Sequence, residues 1–157
     1  MKYKTAITLC PMATHHLEQI MAIEQRTFGN PWEPIDFRLA SKSTSGGVIV
    51  SERRGEAIGY CVYEVKGRNI QIHNLAVAHD YRRQAIGASL VSWVMDSLRP
   101  GRRRVTALVR ETNLDAQLFF RDRGFRALGV VKDYYKDIDE DAYRFTWCYW
   151  GDIGAAK

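Results

Sequence analysis

The segment 69–98 changes its hydrophobic period partway along, and this change constrains the fold more than any other feature. Residues 69–77 alternate between apolar and polar side chains, as a half-buried strand does. Residues 84–98 instead place apolar side chains four residues apart, on one stripe of a helix. Because an amphipathic helix that directly follows a strand must bury its apolar stripe against a sheet, the segment predicts a layered α/β fold.

The same patterns extend through most of the chain. They predict further helices at 13–28, 33–41 and 114–123, and further strands at 5–9, 47–51, 57–65, 104–110, 125–131 and 143–150. The order β-α-α-β-β-β-α-β-α-β-β predicts a mixed, mostly antiparallel sheet of about seven strands with helices on both faces. Because a chain of 157 residues has the length of one ordinary domain, we expect a single domain over 1–157, with its core at about 5–150 and a tail at 151–157.

Composition narrows the class of protein. No apolar run approaches the roughly 18 residues of a membrane span, and the N-terminus lacks a secretory signal pattern. We therefore expect a cytoplasmic protein without a membrane partner.

The three cysteines are widely spaced, so neither a disulfide framework nor a metal site is expected. A net charge of +5 indicates an anionic partner, which can be nucleic acid, a ribosome or a phosphorylated cofactor. No nucleic-acid-binding motif accompanies the charge, so nucleic acid is disfavoured.

The turn that opens the helix at 84–98 has the properties of an anion site. A helix start presents N–H groups without intrahelical partners and carries a partial positive charge. Arg82 and Arg83 add charge, and the small residues that follow let a diphosphate approach the backbone. A basic helix start is common, so this turn alone indicates anion binding and nothing more specific.

An ordered set of motifs around this turn resembles the GNAT superfamily of acyl-CoA-dependent N-acetyltransferases, over roughly residues 5–147. The motifs are Leu75-Ala76-Val77 followed by Tyr81-Arg82-Arg83-Gln84-Ala85-Ile86-Gly87, then Val109-Arg110-Glu111-Thr112-Asn113, Phe119-Phe120 and Gly124-Phe125. Three more segments are similar to the protein N-terminal acetyltransferases, including the ribosomal-protein alanine acetyltransferases: Ile23-Glu24-Gln25, Pro31-Trp32 and Lys132-Asp133-Tyr134-Tyr135-Lys136.

The resemblance implies a central sheet splayed in its middle, with acetyl-CoA as the donor and CoA as the product. The implied cofactor-binding residues are Leu75, Ala76, Val77, Arg82, Arg83, Gln84, Ala85, Ile86, Gly87, Ala88, Asn113 and Phe120, and those at the acceptor site are Trp32, Tyr134 and Tyr135. The implied acceptor is a primary amine that attacks the thioester directly, first of all a peptide or protein N-terminus, such as that of a ribosomal protein. A small-molecule amine and a non-catalytic acyl-CoA-binding module remain alternatives, and the oligomeric state stays open.

Three positions depart from the family pattern. Ala85 replaces the first loop glycine, which predicts a modest loss of cofactor affinity. Phe120 replaces the tyrosine that protonates the leaving thiolate, a role that water or Tyr135 can take. Leu108 stands where the subgroup carries a glutamate base. Because an amine nucleophile must lose a proton, we expect His73 to serve as the base, with Glu33 as the next candidate.

Overall fold

The structure, a computed structural model, describes residues 6–98, 101 and 104–149. Its strands are β1 (Ile7–Pro11), β2 (Gly46–Arg53), β3 (Glu56–Lys66), β4 (Asn69–Val77), β5 (Arg104–Arg110), β6 (Arg126–Tyr135) and β7 (Glu140–Cys148). Its helices are α1 (Leu17–Thr27), α2 (Pro34–Ser41), α3 (Ile86–Asp96) and α4 (Leu114–Asp122), with 3-10 turns at Thr14–His16 and His79–Tyr81. The predicted mixed, mostly antiparallel sheet of seven strands is confirmed. None of the described helices is both long and apolar enough to cross a membrane.

The chain divides into two compact units, and the first comprises Met1–Glu64 and His73–Met95. In this unit β1 pairs antiparallel with β2, and β2 pairs antiparallel with β3. The core is built from apolar residues of α1, α2 and these strands: Ile20, Ile23, Phe37, Val48, Val50, Ala57, Tyr60, Val62 and Ala76. At Gly59 an added Cβ would lie 3.2 Å from both the Ala76 carbonyl oxygen and Ile86 Cγ2. The missing side chain therefore lets the start of α3 lie close against β3 and β4.

The second unit comprises Val65–Ile72 and Asp96–Lys157. The first half of β4 pairs in parallel with β5, β5 pairs antiparallel with β7, and β7 pairs antiparallel with β6. The Phe120 ring centroid lies 5.1 Å from that of Phe125 and 6.2 Å from that of Phe145. All three side chains are buried, so this aromatic cluster forms the centre of the unit's core.

Several predicted boundaries were wrong. The strand predicted at 5–9 is Ile7–Pro11, and the helix predicted at 13–28 is a 3-10 turn at Thr14–His16 followed by α1 from Leu17. The predicted strands at 125–131 and 143–150 are replaced by the longer β6 and by β7, which begins at Glu140. The polar residues at 132–135 and 140–141 concealed these extensions, because β6 is exposed along most of its length and is ordered by pairing with β7. The third helix begins at Ile86 instead of at residue 84, since Arg83 and Ala85 hold φ angles of 60° and 61° that no α-helix accommodates.

Candidate active site

The loop before α3 has a backbone shaped to receive an anion. Arg83 and Ala85 both lie in the left-handed region, and such turns direct successive N–H groups toward one point. The Ala85 carbonyl accepts hydrogen bonds from the backbone N–H and from the hydroxyl of Ser89, both at 3.0 Å. Ala85 thus caps α3, and the N–H groups of the first helical turn have no partners within the helix.

Side chains hold this loop against the end of β4. Arg82 Nε donates to the Val77 carbonyl at 3.1 Å, and Gln84 Nε2 donates to the Asp80 carbonyl at 3.3 Å. The loop therefore combines free helical N–H groups, the exposed cation of Arg83 and the partly engaged cation of Arg82. These groups fit a diphosphate, as predicted for the CoA pyrophosphate.

We expect Ala85→Gly to tighten CoA binding about threefold to tenfold, since a non-glycine residue at positive φ costs roughly 1–2 kcal/mol and lowers the population of the binding-ready loop. Isothermal titration with CoA measures the change. Ala22→Gly makes the same chemical change on the exposed face of α1, outside the loop, where glycine only weakens the helix. Equal effects of the two substitutions would contradict the role of the left-handed loop.

The second half of β4 offers backbone groups beyond the paired stretch. Among the described residues the parallel register with β5 runs from Asn69↔Arg104 to Ile72↔Ala107. Leu75, Ala76 and Val77 follow this stretch and lead directly into the anion loop. Their backbone thus has the position predicted for binding an extended arm that ends in the diphosphate.

An open groove of about 340 Å³ lies in the first unit, beside this strand. Trp32, Asp36, Leu39, Ala40, Ser43, Val62, Tyr63, Glu64 and His73 line it. His73 Nε2 lies 2.7 Å from Glu64 Oε2, and the two side chains are 26% and 38% exposed. The groove therefore combines a reachable imidazole, two carboxylates and an apolar wall, which suits an amine on an apolar group.

The Glu64 contact determines which nitrogen of His73 can act as a base. A carboxylate only accepts hydrogen bonds, so it selects the tautomer in which Nε2 carries the hydrogen. Nδ1 then carries the lone pair. Glu64 also stabilises the imidazolium that forms when Nδ1 takes a proton, as a carboxylate does behind a catalytic histidine. Glu64 was missed in the sequence, although an antiparallel hairpin around residues 67–68 makes it a cross-strand neighbour of His73.

The other acceptor-side candidates of this unit differ in placement. Trp32 lines the groove, and its ring centroid is 5.4 Å from that of Phe37. Glu33 is the exposed residue that precedes α2, and its N–H donates to Asp36 Oδ2 at 2.8 Å. Asp36, not Glu33, is the acid of α2 that lines the groove.

The tyrosine pair of the second unit lies in β6. Tyr135 donates its hydroxyl hydrogen to the Leu108 carbonyl at 3.1 Å, and the Arg110 guanidinium lies 3.9 Å above its ring. Burial raises the pKa of Tyr135 to about 12, so near neutrality the hydroxyl keeps its proton. Tyr134 packs edge-on against Tyr135 and is 45% exposed. The pair therefore presents one proton-bearing hydroxyl and one exposed ring.

Most of the acidic residues after this pair are engaged within the protein. Arg110 pairs with Asp137 at 2.8 Å and with Glu140 at 3.2 Å, and Lys132 pairs with Asp141 at 2.7 Å. Hydrogen bonds lower the pKa of all three carboxyls. The main donor is Arg110 for Asp137, Thr112 for Glu140 and Lys132 for Asp141. Because Arg110, Thr112 and Lys132 already engage these three carboxylates, the carboxylates serve to hold the second unit together.

These pairs predict acid destabilisation. A carboxyl whose pKa is lowered by folding stabilises the protein above its unfolded pKa, about 4, and this contribution is lost as the pH falls through the folded pKa. We expect the free energy of unfolding in urea to fall below about pH 4. Arg110→Met should differ most from wild type above about pH 5 and converge with it in acid. Arg121→Met, at an exposed pair with Asp122, serves as the control and should not change the pH dependence.

The two remaining cofactor candidates have defined structural roles. Asn113 precedes α4, and its Oδ1 accepts the Ala116 N–H at 3.1 Å, so it is the helix cap. Phe120 belongs to the aromatic cluster and is only 5% exposed. As a helix cap, Asn113 uses its side-chain oxygen and keeps its amide nitrogen at an exposed helix start. Packing in the aromatic cluster is sufficient to explain a phenylalanine at position 120.

Cys10, His16 and Glu52 form a cluster with metal-ligand chemistry, distant in sequence from the groove residues. The Ala13 N–H donates to His16 Nδ1 at 3.0 Å, so the hydrogen of the buried ring must lie on Nε2. Nε2 in turn lies 2.8 Å from Glu52 Oε2. A metal on Nε2 would require a hydrogen on Nδ1, facing the Ala13 N–H, so this arrangement favours a hydrogen-bonded cluster over a metal centre.

Comparison with known proteins identifies a family and relatives whose names state a reaction. The model of the acetyltransferase (GNAT) family matches residues 17–125. The chain is 29% identical over 141 residues to a putative ribosomal protein bS18-alanine N-acetyltransferase of Bacillus subtilis, covering 88% of this chain and 93% of that protein.

Solved structures agree in fold. The crystal structure of the ribosomal-protein-S18-alanine N-acetyltransferase from Escherichia coli superposes with a TM-score of 0.80 at 25% identity, covering 91% of this chain and 94% of that one. Arabidopsis thaliana NAA60 in complex with acetyl-CoA has the same fold, with a TM-score of 0.78 at 20% identity and coverage of 91% and 99%. The family match contains both the groove residues and the anion loop.

Proposed function

The chain belongs to the GNAT family of acetyltransferases, and from this premise we propose that it acetylates the α-amino group of a protein N-terminus. As a family member it is an acyl-CoA-dependent N-acetyltransferase that uses acetyl-CoA. The acceptor class is supported by the relatives, whose names specify the alanine of ribosomal protein bS18 or N-alpha-acetylation. No feature of the groove favours a small-molecule amine over a peptide terminus.

Binding of the donor rests on two neighbouring parts of the first unit. The N–H groups of the loop before α3, with Arg82 and Arg83, hold the pyrophosphate. The backbone of Leu75, Ala76 and Val77 holds the arm that leads from it. When bound, acetyl-CoA supplies an activated acyl group at the end of this arm. A backbone N–H of the same strand stabilises the negative charge that develops on the acyl oxygen.

Activation of the amine is assigned to His73. An α-amino group has a reference pKa of about 7.7–8.0, so much of it is protonated near neutrality. The groove carboxylates attract this ammonium group, and His73 Nδ1 takes its proton, directly or through one water. Glu64 stabilises the charged imidazole that results. A thiol has a reference pKa of about 8.5, so the departing thiolate is a fair leaving group near neutrality and can take its proton from water.

One observation carries this proposal: a 2.7 Å His73–Glu64 pair lines an open groove, and His73 lies two residues before Leu75, where the backbone assigned to the donor begins. This pair offers a physical alternative to the base that Leu108 cannot provide. A non-catalytic acyl-CoA-binding module would not need a reachable, carboxylate-oriented imidazole at that place.

The test uses the full chain with acetyl-CoA and a synthetic peptide that begins with alanine. The matched control is the same peptide with a blocked N-terminus, and a panel of small amines and polyamines completes the comparison. Mass spectrometry should show gain of one acetyl group, located by fragmentation on the α-amino group. Saturable CoA binding without transfer to any acceptor would instead identify a binding module, and transfer only to small amines would contradict the acceptor class.

A further inference from the structure

Glu24 is a buried carboxylate that none of the steps above uses. It lies in α1 and has no exposed surface. Its oxygens accept hydrogen bonds from the Trp32 N–H at 2.8 Å, from the Asn74 amide at 3.0 and 3.1 Å, and from the Tyr60 hydroxyl. All of these donors are neutral groups on three other segments of the chain.

Burying a carboxylate among neutral donors is costly unless its hydrogen bonds are complete. An apolar residue of similar size would fill the same space without the desolvation cost. What such a residue cannot do is bind three segments at defined positions. Burial together with the Glu24 carboxylate also raises the pKa of the Tyr60 hydroxyl, so this donor keeps its hydrogen.

The segments that Glu24 joins are those of the acceptor groove and the donor strand. Trp32 lines the groove, and the hydrogen bond from its backbone N–H to Glu24 fixes the loop between α1 and α2. Asn74 stands in β4 between His73 and Leu75. Because successive side chains of a strand point to opposite faces, anchoring Asn74 on one face fixes the direction of His73 on the other.

We propose that Glu24 is a positioning residue for acetyl transfer, which holds the Trp32 loop and the His73 segment of β4 in the geometry that receives the acceptor peptide. The inference rests on the proposed function of the groove. Glu24 acts through its neighbours and touches neither reactant.

The test is Glu24→Met, which keeps the approximate size of the side chain but removes both acceptor oxygens. The Trp32 N–H, the Asn74 amide and the Tyr60 hydroxyl then all lose their acceptor on α1, so the anchor is broken. We expect the KM for the peptide to rise about tenfold, as small misplacements of positioning groups are costly. The Kd for CoA should stay within about twofold, because the anion loop is not among the anchored segments.

Hydrogen exchange of the Trp32 amide gives a readout that needs no activity. This amide should exchange faster in Glu24→Met than in wild type, since its acceptor oxygen is removed. Glu18→Met makes the same change on the exposed face of α1 and serves as the control. If Glu24→Met does not fold, Tyr60→Phe removes one donor while keeping the ring that packs edge-on against Phe37, and should act in the same direction.

The outcomes separate the two proposals. A lower melting temperature with unchanged KM and unchanged Trp32 exchange would make Glu24 merely structural and overturn the inference. If the wild-type protein acetylates no peptide, the proposed function fails, and Trp32 exchange alone then decides: faster exchange in the variant supports the anchor, and unchanged exchange overturns it.

Discussion

Replacing His73 by glutamine should lower kcat for peptide acetylation by about 10²–10⁴-fold, the usual contribution of a positioned general base. Glutamine retains much of the size and polarity of the ring but cannot take a proton at neutral pH. The Kd for CoA should not change, because the anion loop and the backbone of Leu75 to Val77 remain in place. Steady-state kinetics with the alanine peptide, together with calorimetric titration of CoA, measures both quantities.

Glu64→Gln tests the second member of the pair. It still accepts a hydrogen bond from His73 Nε2 but no longer stabilises the imidazolium, so we expect a loss of about tenfold in kcat, smaller than for His73→Gln. His15→Gln is the matched control, because His15 is 60% exposed and lies beside Glu52, outside the groove lining. Exogenous imidazole should restore part of the activity of His73→Ala. Unchanged kcat in His73→Gln would remove this base from the mechanism while leaving CoA binding intact.

Gly46→Ala should lower the free energy of unfolding by about 3 kcal/mol, within the range caused by severe steric clashes. An added Cβ would lie 2.2 Å from the Tyr63 carbonyl oxygen and 2.9 Å from Glu64 Cα. Both atoms belong to the backbone of β3, so relief requires β2 to move away from β3 along their paired register. Urea denaturation measures the loss of stability.

Gly47→Ala provides a neighbouring control for this substitution. Its Cβ would meet the Tyr63 hydroxyl at 3.3 Å, the end of a side chain that can shift, so we expect a loss below about 1 kcal/mol. Because the clash at Gly46 involves Glu64 itself, any folded Gly46→Ala protein should also transfer acetyl groups more slowly. Equal stability losses in the two variants would show that strand β3 yields more readily than its contacts indicate.

Elements with a strong local pattern were predictable. The alternation at 69–77 and at 104–110 predicted β4 and β5 with their observed ends, because one face of each is buried and the other is not. The basic turn before α3 was also predictable as an anion site, since helix starts have the same electrostatics in every fold. The far ends of β6 and β7 were not, because their polar residues are ordered by pairing across the hairpin.

The residues of the candidate site also divide into those that the sequence predicted and those whose contacts only the structure shows. His73 could be selected from its chemistry and its place in a strand, but its partner Glu64 was missed, because that contact depends on how β3 and β4 lie together. Asn113 and Phe120 match a family motif, while the structure gives the first a capping role and the second a place in the aromatic core. A motif specifies residue types in order, and packing decides which of their atoms are reachable.

The sequence by itself predicted the fold class from its periodicity, the family from its ordered motifs, and a candidate anion site from the backbone electrostatics of a helix start. Only the tertiary structure decided that Glu64 orients His73, that Asp137, Glu140 and Asp141 form ion pairs, and that Glu24 joins three segments. Each of these contacts links residues that the chain separates by between 8 and 50 positions. Such contacts arise from burial and strand register, which are properties of the assembled core and not of any short stretch of the chain.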